Sequence, residues 1–145
     1  MDTLRVVGLV VALLGGSTGC SQGETQDEKL ARASTISEVV EVIANQAPTK
    51  AYTIDSTKYL AVVFESTNVT RDYHLMTAKH LMPVLLERYP EINRFFLAWA
   101  KDGQQFLKIQ FDRGDVAGVR WDALMIKDGE LQQISSMYWT IPALR

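Results

Sequence analysis

Residues Asn93 to Phe111 constrain the fold of this chain more than any other stretch. Phe95, Leu97 and Trp99 alternate with Phe96, Ala98 and Ala100; further on, Leu107, Ile109 and Phe111 alternate with Phe106, Lys108 and Gln110. A period of two belongs to a strand, whose successive side chains point to opposite faces. Between the two runs stands Lys101-Asp102-Gly103-Gln104, and Asp-Gly is a favoured pair for a tight turn between antiparallel strands. The stretch reads as a β-hairpin whose inner face is Phe95, Leu97, Trp99, Leu107, Ile109 and Phe111.

The remaining elements are read around that hairpin. Tyr59 to Glu65 is YLAVVFE, apolar on both faces, so it is expected centrally in the sheet. Ala51 to Ile54 is expected to precede it as a strand, across Asp55-Ser56-Thr57-Lys58. A helix is expected from about Thr25 to Gln46, since Leu30, Ala33, Ser37, Val40 and Ala44 recur at three- and four-residue spacings and Ile36, Val39 and Ile43 widen the stripe. Glu28, Glu38 and Glu41 occupy its other face rather than a Lys/Arg band, which favours core packing over a membrane surface. Pro48 stops it. A second helix is expected from a Thr70 cap to about Tyr89, with Leu75, Ala78, Met82, Leu85 and Tyr89 buried. Pro83 should kink or break that helix, and Pro90 closes it.

After Phe111 two readings compete. Asp115 to Lys127 fits a short helix with Gly129 past its end; it also fits a strand turning at Asp128-Gly129 into Leu131–Tyr138. Gly118 counts against the helix, but the short helix is the reading adopted. Met137-Tyr138-Trp139-Thr140-Ile141-Pro142 is too aromatic for a free tail and is expected to dock on the domain. The sum is an α+β fold: a small, mainly antiparallel sheet with helices packed on one face, preceded by an N-terminal helix.

The first residues carry a different signal. Met1 to Ser21 reads MDTLRVVGLVVALLGGSTGCS. Val6 to Leu14 is a run without charge, shorter than the roughly 20 apolar residues a spanning helix needs but within the range of a secretory h-region. Arg5 is the basic side chain of the n-region. The run ends at Gly15-Gly16, and Ser17-Thr18-Gly19 leads to Cys20, the sole cysteine of the 145 residues. This segment resembles the signal and lipobox of bacterial lipoproteins, although Ser17 stands where that family usually has an aliphatic residue. The resemblance implies cleavage before Cys20, a diacylglyceryl group on its thiol and an acylated amine. Two or more chains give stable attachment where one gives only marginal binding. The implied organisation is a removed signal over 1–19, a lipidated tether over 20–29 and a single α+β domain over 30–145. Ser21-Gln22-Gly23-Glu24-Thr25-Gln26-Asp27-Glu28-Lys29 is polar throughout and reads as flexible tether. By analogy with Gram-negative lipoproteins, Ser21 directs the protein to the outer membrane, facing the periplasm.

Composition then bounds function. A net charge of −2 gives no electrostatic footprint for nucleic acid, and with one cysteine neither disulfide nor dithiol redox chemistry is expected. Neither a nucleophile elbow nor an Asp-rich calcium loop is present. His74 and His80 lie six apart, about 240° around a helix, so they should diverge rather than share a metal; His80 is expected to cover the edge of the core. Arg113-Gly114-Asp115 spells an integrin-binding tripeptide but is also an ordinary turn composition, and Asn68-Val69-Thr70 is a sequon without meaning behind a bacterial-type signal. No cofactor or metal is expected. Tyr138 and Trp139 are the candidate residues for contact with an envelope protein partner. The reading adopted is a lipid-anchored, non-catalytic binding or scaffolding domain. The alternative is a small periplasmic hydrolase or metal-dependent enzyme using His74, His80 and nearby carboxylates.

Overall fold

The computed structural model describes residues 23–54 and 58–145, and the chain divides into two units after Ala33. Cys20, Ser21 and the signal-like stretch lie outside the described residues, as do Asp55, Ser56 and Thr57 of the expected first turn.

The first unit contains helix α1 (Gln26–Arg32). The second begins with α2 (Ile36–Ala44). The single helix expected over Thr25–Gln46 is thus two helices, and the polar stretch expected to be flexible tether is already helical from Gln26. Two reciprocal caps explain the division. Thr25 Oγ1 accepts from the Glu28 amide while Glu28 Oε1 accepts from the Thr25 amide, at 3.1 and 2.8 Å. Thr35 and Glu38 repeat the arrangement at 3.1 Å in both directions. Such a box satisfies amides that a new helix start leaves unpaired, and Thr35 adopts the extended backbone it needs, at φ −113° and ψ 159°. The buried residues of α2 are Val39 and Val40, while Ser37, expected in the stripe, is exposed. Asn45, at φ 56°, ends the helix in the left-handed region that asparagine tolerates.

Strands β1 (Lys50–Ile54) and β2 (Tyr59–Glu65) pair antiparallel. Helix α3 (Asp72–Arg88) then crosses to β3 (Arg94–Lys101), which pairs parallel to β2. A parallel pair requires such a crossover. The hairpin follows as expected, with β4 (Gln104–Asp112) antiparallel to β3. Its two turn residues have positive φ, 52° at Asp102 and 80° at Gly103, the requirement of a type I′ turn. The register shifts between Trp99 and Ala100, which pair with Leu107 and Gln105 and leave Phe106 as the extra residue of a bulge. The sheet order is β1-β2-β3-β4-β5, with β5 formed by Met137–Thr140 against β4. The fold is α+β, and its sheet is mainly antiparallel with one parallel pair.

The core lies between the sheet and α3. Leu75, Ala78, Leu81, Met82 and Leu85 of α3 are buried, as are all six residues of the hairpin's inner face. Phe64 stacks on Trp99 with ring centroids 5.5 Å apart. Helix α2 packs on α3 and on β1. Expectations about α3 fail at Thr70 and at Tyr89, which was expected buried but is half-buried past the helix end, and in part at Pro83. Arg71, not Thr70, is the N-cap residue, so the helix starts one position too late for a Thr70 cap, and the buried Thr70 Oγ1 has no partner. Pro83 does not break the helix, which has buried residues on both sides of it.

Beyond β4, neither the short helix over 115–127 nor a strand forms. The segment folds as 3-10 turns at Arg113–Val116, Trp121–Ala123 and Ile126–Asp128. Gly118, at φ 78°, leaves the helical region. Trp121 instead packs edge-on against Phe111 at 5.8 Å. Helix α4 (Glu130–Ile134) comes next, and then the aromatic terminus joins the sheet as β5.

Candidate functional site

The register places side chains on two faces of the sheet, since directly paired residues share a face. One face meets α3. On the other, the pairing aligns Lys50, Val63, Ala98, Lys108 and Trp139 in one row across all five strands. The next row is Tyr52, Ala61, Phe96, Gln110 and Met137, and the third is Ile54, Tyr59, Arg94 and Asp112. Helix α3 stands on the other side, where His74 meets Trp99.

Three residues of these rows expose large apolar side chains: Tyr52 and Ile54 at 47% and Trp139 at 40%. The two candidate aromatics are therefore separated by the pleat of β5. Trp139 belongs to the open face. Tyr138, paired with Ile109 on the helix face, is half-buried. The contributions of Tyr52, Ile54 and Phe96 to this face were not singled out from the sequence, because exposure depends on which face α3 covers. Alternation of the strands was the available signal.

Lys108, Arg94 and Asp112 of this face have partners. Lys108 Nζ lies 4.7 Å from the centroid of Trp139, a cation–π distance. Arg94 Nε donates to Asp112 Oδ1 at 2.8 Å. Tyr59 donates its hydroxyl to Gln110 Oε1 at 3.1 Å, and Gln110 Nε2 donates to Ser136 Oγ at 3.2 Å. Burial pushes the Tyr59 phenol above its ordinary value, with Arg94 acting in the opposite sense. The face thus mixes apolar side chains with polar ones, the charged ones standing at both ends of the strands.

The histidines are not brought together. His74 is 2% exposed and forms part of an aromatic cluster, with its ring 5.4 Å from Trp99 and 5.6 Å from Phe106. Its Nε2–H donates to the Asn68 carbonyl oxygen at 2.8 Å. Burial lowers its pKa, and the Asn68 bond opposes this only in part. His80, expected at the edge of the core, is exposed; His74 takes the inner position instead. The helix phase accounts for the exchange, because His74 is four residues before the buried Ala78. Among the described residues no group of three His, Cys, Asp or Glu is placed to hold a metal, and no helix is long and apolar enough to cross a membrane.

Arg113 is engaged inside the fold. Its guanidinium donates to the carbonyls of Leu86, Tyr89 and Ile92 at 3.2, 2.7 and 2.7 Å, and lies over Phe95. Arg113-Gly114-Asp115 is therefore a structural corner rather than a displayed tripeptide. Comparison of the chain with protein-family models, curated proteins and solved structures gives no match.

Proposed function

We propose that this chain is a lipid-anchored protein of the bacterial envelope whose α+β domain binds a partner protein through the open face of its sheet, without chemistry of its own. The observation that carries the binding reading is the exposure of Tyr52, Ile54 and Trp139 on one sheet face. Exposed aromatics on a mixed apolar and polar surface are enriched among binding hot spots. A protein partner suits this face better than a lipid surface. Anionic headgroups are attracted by clusters of cations, whereas the cations of this face, Lys50, Lys108 and Arg94, stand on three different strands and Arg94 is paired with Asp112. The anchor reading rests on the segment ending at Cys20.

The two parts are tested separately. Cys20→Ser should abolish palmitate labelling and release or leave unprocessed the protein; normal labelling would remove the anchor. Tyr52→Ser combined with Trp139→Ser should abolish complementation of a deletion strain while membrane attachment and thermal unfolding are retained. Full complementation by that variant would remove the sheet face as the binding site.

A further inference from the structure

We propose that the polar cavity at the end of the sheet where β2 and β3 begin and β4 ends binds a phosphomonoester through Arg94 and Lys58. Its volume is about 570 Å³, within the range of about 300–1,000 Å³ of small-molecule sites. Lys58, Arg94 and Arg113 line it, and Asp112 is the acid of the lining. Three cations against one carboxylate give its walls a net charge of +2, on a chain whose net charge is −2. A phosphoryl group, at about −1.5 to −2 near pH 7, matches that charge.

Backbone bonds hold the three cationic residues as neighbours. The amides of Asn93 and Arg94 donate to the Lys58 carbonyl at 2.8 and 3.2 Å, and the Arg113 amide donates to the Asn93 carbonyl at 2.7 Å. Asp112 takes the side of the Arg94 guanidinium formed by Nε and Nη2, at 2.8 and 3.4 Å, and also accepts from Ser136 Oγ at 3.3 Å. A guanidinium is a planar fork of five N–H donors, so its Nη1–Nη2 end is a second edge, distinct from the one Asp112 takes. That edge suits the bidentate capture of another oxyanion. Lys58 is exposed and adds a compact point charge. A carboxylate would spend both its oxygens on the Arg94 fork, whereas a phosphoryl group has three and keeps one for Lys58. Arg113 contributes charge rather than a bond. Its guanidinium is held by the carbonyls of Leu86, Tyr89 and Ile92, which are neutral and leave its charge in place. The cavity shares Tyr59, Arg94 and Asp112 with the open face, but a small ligand here does not depend on the partner proposed for that face.

The test is calorimetric titration of the full chain, in non-ionic detergent, with glycerol 3-phosphate. Saturable binding is expected, and glycerol at the same concentrations should give none. Arg94→Gln and Lys58→Gln should each weaken binding by about tenfold, the loss of one charge-assisted bond. Arg94→Lys keeps the charge without the fork and should weaken it too. Thermal unfolding of each variant verifies that the fold is retained. Micelles doped with phosphatidate separate two sources of the phosphoryl group: an unchanged titration assigns the site to a soluble ligand, and a suppressed one to a lipid headgroup. The proposal is overturned if glycerol 3-phosphate gives no saturable heat, or if folded Arg94→Gln or Lys58→Gln binds it as tightly as the wild type.

Discussion

His74 is the residue whose environment makes the sharpest prediction. Trp99, Phe106 and Tyr73 surround its ring, and Nε2 faces the Asn68 carbonyl with Ser66 Oγ at 3.4 Å. No carboxylate is among these contacts. Burial lowers its pKa from 6.5, so the unfolded chain binds a proton more readily than the folded one. Stability is then full above the ordinary histidine value and falls as pH drops from there through the folded value. Thermal unfolding of the wild type from about pH 7.5 to about pH 5 should show this loss, and His74→Gln should flatten it. A profile with the same slope in the variant would mean that His74 does not carry the effect. The substitution should also lower stability by about 1–3 kcal/mol through a disturbed buried hydrogen bond. Exposed His80→Gln should stay within about 0.5 kcal/mol of wild type. The double variant should keep its biological role apart from that stability cost, which complementation would measure. Loss of the role with fold and anchoring preserved would favour an enzyme. Both histidines were visible in the sequence, but the buried one was assigned to the wrong position. His74 was left out of the expected stripe although its helical phase includes it, and a single N–H to a carbonyl is sufficient to bring it inside.

At the level of elements, local signals were legible and tertiary ones were not. The hairpin could be read because its turn and its alternation are both encoded within a few residues of each other. Its inner face is buried as expected, and Leu97→Ala or Ile109→Ala should each cost about 2–5 kcal/mol in equilibrium unfolding. Unchanged unfolding in both would contradict the facing. The division between α1 and α2 was also local, written twice as Thr-x-x-Glu at Thr25/Glu28 and Thr35/Glu38, but the longer apolar stripe concealed it. The segment after Phe111 is different in kind. Its 3-10 turns are held by remote contacts, Trp121 on Phe111 and Arg113 on the carbonyls that end α3. No periodicity announces such contacts. Arg113→Ala removes donors from three carbonyls at the junction of α3 and β3, and a loss of about 1–3 kcal/mol is expected. A change below about 0.5 kcal/mol in chemical denaturation would show that this corner is not held by the guanidinium.

For the molecule as a whole, fold class followed from the strand pairs and the single long helix joining them. The open face of the sheet did not follow, because which side the helices cover is a property of packing. Tyr138 and Trp139 stood together in the sequence, yet the pleat of β5 leaves only Trp139 on the exposed face. The proposed role joins that face to an anchor at Cys20, and the anchor determines where any partner must be. The most direct test is the mass of the N-terminal peptide from protein extracted from host membranes. The account predicts a peptide beginning at Cys20 and heavier than its polypeptide by a diacylglyceryl group and an acyl chain. An N-terminal peptide with an unmodified Cys20 thiol, or one that retains the residues before it, would contradict it.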